Sequence, residues 1–319
     1  METSAVGRAR VPAWLVLGGA GFVGVLTAVQ ARINGQLGAR LDDGLLAAAI
    51  SFGSGLVILI VLSAVLPAGR RGFGALVTGM RRRTIPWWML AGGAAGALTV
   101  ATQGLAVAVI GVSLFTVGVV AGQAVCGLVL DRVGYGPAGV VAVTVPRLIG
   151  GALALSAVAL SLAGDGVRGI PIWMLALPFA AGVGIAWQQA TNGRLRQRVR
   201  TPLTATLVNF IGGTILLVAA AAVHIAAAGV PQELPTEVWL YIGGAVGVLY
   251  IFLSAALVAY TGVLLLGLGV VVGQLLTSIA IDALWPVASG PGIVQEAAMV
   301  ILALSGVAVA AAPWGRRRR

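Results

Sequence analysis

Apolar residues run through this chain in stretches of about 20, the length that carries an α-helix across the hydrocarbon of a bilayer. Clusters of Arg, Asp, Glu, Pro and Gly punctuate them and predict ten spanning helices, near 12–31, 44–66, 86–109, 112–130, 146–163, 171–192, 202–228, 237–260, 262–281 and 294–312. Only Ile110-Gly111 divides the third from the fourth, and only Tyr260-Thr261-Gly262 the eighth from the ninth. Each combined run is about twice the length that can cross a bilayer, so each is read as two helices.

Composition removes the competing classes. Of 319 residues 59% are hydrophobic and 9% charged, with mean hydropathy +1.04. Ordinary soluble domains carry about 25% charged residues, so this chain cannot cover a water-facing surface and its solvent is mostly lipid. The lone Cys126 excludes an internal disulfide. A net charge of +11 in a soluble protein would suggest nucleic-acid binding, but here the arginines sit in short clusters between apolar runs, and no nucleic-acid partner is expected. Lysine is absent, and no cleavable leader is expected, because the first apolar run is too long for a signal core.

With ten spans the termini share a side. That side holds 17 of the 20 arginines, in the clusters Arg8/Arg10, Arg70 to Arg83, Arg132, Arg147, Arg194 to Arg200 and Arg316 to Arg319; Arg32, Arg40 and Arg168 fall on the other. The positive-inside rule makes both termini cytoplasmic in a multi-pass inner-membrane protein. Trp14, Trp87, Trp88, Trp173, Trp239, Trp285 and Trp314 fall at span ends, where indoles prefer the headgroup region, and Trp187 does not.

The chain also matches itself. Gln30…Asn34-Gly35…Leu37 lies over Gln188…Asn192-Gly193…Leu195 at an offset of 158, and the register continues through Phe52/Phe210 and Gly55/Gly213. At an offset of 151, Gly92-Gly93-x-x-Gly96 matches Gly243-Gly244-x-x-Gly247, Gly122-Gln123 matches Gly273-Gln274, and Asp131 falls on Asp282. Chance apolar similarity would not align Gln, Asn, Asp and Gly in order. The units are 1–165 and 166–319, with five predicted helices each. An odd number makes the second copy enter the membrane from the opposite side, which is the inverted-repeat design of many secondary transporters. The basic loop Arg70 to Arg83 and its counterpart carrying Glu233 and Glu237 fit such a flip.

These residues resemble the ten-helix drug/metabolite transporter superfamily, and within it the YdcZ-type group. The resemblance rests on Gln30…Asn34…Leu37, Gly92 to Gly96 and Gly122-Gln123…Asp131 in the first unit and on Gln188…Asn192…Leu195, Gly243 to Gly247 and Gly273-Gln274…Asp282 in the second. It implies an all-α membrane fold and transport of a small solute.

Chemistry-bearing residues are few. His224 and Cys126 are each the sole residue of their type, so no His/Cys metal cluster or His-based triad can be assembled; no cofactor and no enzymatic activity are expected. His224 reads as an interfacial side chain and Cys126 as a packing residue. The glycine-rich stretches lack the strand, Lys and Ser/Thr of a phosphate loop and read as helix-packing surfaces. An uncompensated amide in lipid costs several kcal/mol, so Gln123 and Gln274, each about 12 Å along the helix from the aspartate that ends it, should face protein or a cavity. Interhelical bonding and the lining of a solute path both remain open for them. Gln30 with Asn34 and Gln188 with Asn192 share helix faces, either as caps or as path residues; Trp187, beside Gln188 and Gln189, is a candidate for stacking on a planar or cationic solute.

No charged residue is expected near the middle of a span. Asp131, Arg147, Asp282 and Glu296 fall at ends, Arg147 and Glu296 at matching places, so Asp131, Asp282 and Glu296 are the only candidates for proton coupling, which is expected to be weak or absent. The expected function is secondary transport, in the direction of export, of a metabolite or drug-like solute by alternating access. A lipid flippase or scramblase and a non-transporting scaffold are the alternatives, and a homodimer is left open.

Overall fold

The computed structural model describes the backbone of residues 13–136, 139–140, 142–162, 171–229, 233–286 and 292–311. Arg8, Arg10, Arg168, Trp314, Arg316 to Arg319 and the 165/166 unit boundary lie outside these, as do the side chains of Trp14 and of 258–268. The described residues form α1 (Ala13–Leu41), α2 (Gly44–Val65), α3 (Pro67–Arg81), α4 (Gly92–Val133), α5 (Val145–Leu162), α6 (Ile172–Val199), α7 (Pro202–Ala228), α8 (Gly243–Leu284) and α9 (Ile293–Ala311), with short 3-10 turns at Trp87–Leu90 and Val238–Tyr241.

The sequence repeat reappears in the elements. α4 and α8, and the 3-10 turns before them, begin and end at the offset of 151. The turns into α2 and α7 match as well: Asp42 (φ 50°) and Arg200 (φ 62°) are left-handed, and each precedes an N-cap. Asp43 caps Leu45 and Leu46, while Thr201 caps Leu203 ahead of Pro202. A carboxylate or hydroxyl there accepts bonds from N–H groups that the helix cannot satisfy itself.

α4 breaks at the expected join. Gly111 (φ 81°, ψ 165°) separates Gly92–Ile110 from Val112–Val133, in a conformation that side chains rarely adopt. α8 runs as one helix, and its expected join at 260–262 falls where side chains are not described. Among the described residues three stretches, Gly44–Val65, Trp87–Val133 and Pro202–Ala227, are long and apolar enough to cross a membrane by length and composition, and shorter apolar helices accompany them.

Three expectations are corrected. α1 continues to Leu41 and α6 to Val199, past the polar residues read as loops, because Asn34 and Thr191 are fully buried against other helices. Arg32 is therefore inside a helix. The basic loop after α2 contains α3, whose inner face is Gly69, Gly72, Leu76 and Gly79. A Cβ at Gly69 would stand 2.5 Å from the Ser63 Cα, so a helix this close to its neighbour needs glycine there. Arg70 reaches back to the Ala64 and Val65 carbonyl oxygens at 2.9 and 3.0 Å, capping the end of α2.

Packing joins the units rather than separating them. α1 lies along α8, α6 along α4, α2 on α7 and α5 on α9. The largest core gathers Ala28 and Ala31 of α1, Ile110 to Val120 of α4, Leu275 and Ile281 of α8, and Met299 to Ala303 of α9.

Candidate functional site

Two clasps link the units, and each is built from both. In the first, Gln30 on α1 donates from Nε2 to the Gly243 carbonyl oxygen at the start of α8, 2.9 Å away. One turn on, Asn34 donates from Nδ2 to Gln103 Oε1 on α4 at 2.7 Å. In the second, Gln188 on α6 donates to the Gly92 carbonyl oxygen at the start of α4 (3.3 Å) and to Asn209 Oδ1 on α7 (3.0 Å). Asn192 donates to the same Asn209 oxygen at 3.2 Å. Gln30 and Gln188 are counterparts, as are Gly243 and Gly92, so one contact is made twice with the units exchanged. Glycine is required at both: a Cβ on Gly92 or Gly96 would stand 2.6 Å from Asn192 Oδ1 or Gln188 Nε2, and one on Gly243 or Gly247 would collide with Asn34 or Gln30.

Between the clasps the counterpart rings of Phe52 and Phe210 stack, with centroids 4.7 Å apart. Each ring sits against the other helix's glycine, Phe52 on Gly213 and Phe210 on Gly55. Such a pair contributes about 1 kcal/mol beyond area burial.

Beyond the clasps the counterpart aspartates differ. Asp131 bonds Arg147 at 2.7 Å, and both are partly exposed. Near that end Arg194 lies over the rings of Trp88 (5.6 Å) and Tyr135 (5.0 Å) and donates to the Gly134 carbonyl oxygen at 2.9 Å. The Tyr135 hydroxyl meets Thr191 Oγ1 at 3.0 Å. Asp282 is 4% exposed and accepts the Val112 N–H at 3.0 Å and the Ser113 N–H at 2.6 Å, capping the second segment of α4 where Gly111 breaks it. Arg32 and Glu296 both interact electrostatically with Asp282, and Glu296 is 5% exposed. Asp282 and Glu296 thus lie at helix ends, near the close of α8 and in the first turn of α9, and both are buried there. A helix N-terminus and a guanidinium offset part of what burial of these charges costs.

The other predicted residues are placed as follows. Gln274 is buried and Gln123 half-buried; their backbone nitrogens are approached by Gly24 and Gly182, again across the units. Trp187 and Asn192 are half-buried, while Gln189 is exposed on the face of α6 away from Gln188. His224, at the end of α7, meets Asp43 at 3.0 Å, and Cys126 is half-buried. Among the described residues no group of His, Cys, Asp and Glu is placed to hold a metal. Sequence reasoning missed Asn209 and Gln103, whose counterparts are Ser51 and Ser254, and it placed Arg32 outside any helix. An amide inside an apolar run was the available signal.

The chain matches the family model described as "Putative inner membrane exporter, YdcZ" over residues 13–160 and 173–309. No protein of curated function matches it. A solved crystal structure, described only as that of a protein, aligns over 93% of this chain and 95% of its own, with TM-score 0.51 and 18% identity. That likeness concerns the fold alone.

Proposed function

The chain belongs to the YdcZ family of membrane transporters, and on that premise we propose that it exports a small solute by alternating access between two inverted five-helix units. The observation carrying this reading is the pair of exchanged clasps. Gln30 holds α8 and Gln188 holds α4 through the same contact, so each unit can rock against the other by tightening one clasp while loosening its counterpart. Polar side chains buried among apolar helices are costly, and their repeat-related placement favours a solute path over isolated structural bonds. The 17 to 3 division of arginines supports ten spans with both termini cytoplasmic. Buried Glu296, beside Asp282, is the coupling candidate among Asp131, Asp282 and Glu296 that this reading favours for tying movement to protons.

The test has two stages. A metabolite library is screened for thermal stabilisation of the purified protein, because a molecule that binds the folded state raises stability by mass action. Each stabilising solute then enters a counterflow assay in liposomes. The proposal expects counterflow by the wild type and its loss in Gln30→Leu and Gln188→Leu proteins that still insert and remain monodisperse. Stabilising solutes that show no counterflow would contradict it.

A further inference from the structure

The two clasps are left open in different ways: the Gly92 clasp has a buried donor without a partner, Asn209 Nδ2, and the Gly243 clasp has acceptors. In the Gly92 clasp Asn209 Oδ1 sits between Gln188 and Asn192 and accepts from both, at 3.0 and 3.2 Å. The counterpart of Asn209 in the Gly243 clasp is Ser51, whose side chain is two heavy atoms shorter. Three polar atoms are left there without a hydrogen-bond partner: Gln30 Oε1, Asn34 Oδ1 and Ser51 Oγ. All three residues are at least 98% buried. They gather around one point, since Gln30 Nε2 bonds the Gly243 carbonyl while a Cβ on Gly243 would meet Asn34 Oδ1 and lie 3.1 Å from Ser51 Oγ. The amide nitrogens of Gln30 and Asn34 are already engaged, by Gly243 and Gln103, so what remains is two acceptors and a hydroxyl.

Buried polar groups in folded proteins are nearly all paired, and a cluster left open implies a missing partner. In the Gly92 clasp Asn209 supplies an acceptor to two amide nitrogens, whereas the Gly243 clasp leaves acceptors open, so the partner it lacks is a donor. We infer that the Gly243 clasp is a subsite for a solute carrying a small N–H donor head, a primary amide or a primary ammonium, which enters where Ser51 is two heavy atoms shorter than Asn209. This deepens the transporter reading and rests on it only for the claim that the bound solute is moved. The head group donates to Gln30 Oε1 and Asn34 Oδ1, and Ser51 Oγ serves as a further partner. Acceptors without a carboxylate select for N–H groups and against anions, and Ser51 is the specificity-determining position, because a longer asparagine there would fill the space and bring its own N–H donors to the open acceptors.

The experiment measures the melting temperature of the full-length protein in detergent with four small probes of similar size. Acetamide and methylammonium chloride carry N–H donors of the two kinds; tetramethylammonium chloride has none, and sodium acetate is an anion. The expected result is saturable stabilisation of the wild type by acetamide or methylammonium and not by the other two. Ser51→Asn is expected to melt higher than wild type without any probe and to lose the response. A Ser51→Ala protein, which keeps the room and removes only the hydroxyl, is expected to retain it with weaker affinity. Equal responses to all four probes, or none, would overturn the proposal and leave the gap to an ordered water. So would a Ser51→Asn protein that responds like wild type. N–H-selective stabilisation without counterflow keeps this inference and refutes transport; counterflow of a solute without N–H selectivity does the reverse.

Discussion

Asp131 and Asp282 occupy the same register of the two units and stand in opposite surroundings. Asp131 faces Arg147 in a partly exposed pair, with Arg194 between Trp88 and Tyr135 nearby. At Arg147's matching place the second unit carries Glu296, so Asp282 has an acid where Asp131 has a base, and Arg32 and the N-terminus of the second α4 segment provide the compensation. One end thus holds a neutral ion pair, and the other holds two carboxylates against one guanidinium. A repeat in sequence gives matched positions, but the charges placed on them make the two ends electrostatically different.

The largest expected effect is on energy coupling. For a solute identified by thermal stabilisation, accumulation driven by an imposed pH gradient is expected to be abolished by Glu296→Gln and kept by Asp131→Asn. Liposome flux at clamped potential checks it, and loss in Asp131→Asn alone would reverse the assignment of the two ends.

Stability should separate the ends next. Near the end of α1, Gly38 and Gly44 both press on Gly104, where a Cβ would stand 2.5 Å from the Gly44 carbonyl oxygen. Gly104→Leu is expected to cost about 3 kcal/mol through overpacking, measured by unfolding in detergent. The control is Gly18→Leu, which meets nothing within 4 Å and should be nearly neutral.

Asp282→Ala leaves two helix-terminal N–H groups and Arg32 uncompensated and should cost about 2 to 3 kcal/mol. Asp131→Ala removes a partly exposed pair and should cost under about 1 kcal/mol. Equal losses would show that the two aspartates are energetically equivalent. A loss of about 1 kcal/mol is likewise expected for Arg194→Gln, which removes a cation from two aromatic faces.

Much of this architecture is legible in the residues, for reasons that also mark where legibility stops. α2, α7 and α9 come out within about two residues, the scatter common at helix ends, because caps or charges bound their apolar runs. The last turns of α1 and α6 carry Asn, Gln and Arg, which predict loops, but Asn34 is buried there and Leu37, Leu195 and Val199 continue the packed face. α3 was missed because its inner face is largely glycine, which no hydrophobic pattern registers. Gln30, Asn34, Gln188 and Asn192 stood out by repetition, yet repetition cannot tell whether a residue packs on its own unit or on the other. Asn209 and Gln103 had no amide counterpart to reveal them, and the burial of Glu296 depends on Asp282 and α4 arriving beside it from distant parts of the chain.

The central claim is that two related units sit in the membrane with opposite orientation. Thr78 on α3 follows the second spanning helix of the first unit and Ala227 lies in the last turn of its counterpart α7, and both are exposed. In a Cys126→Ser background, single cysteines at these places are treated with an impermeant thiol reagent on intact cells. The account predicts labelling of Ala227→Cys from outside and of Thr78→Cys only after permeabilisation. Labelling of both from the same side would contradict the inversion.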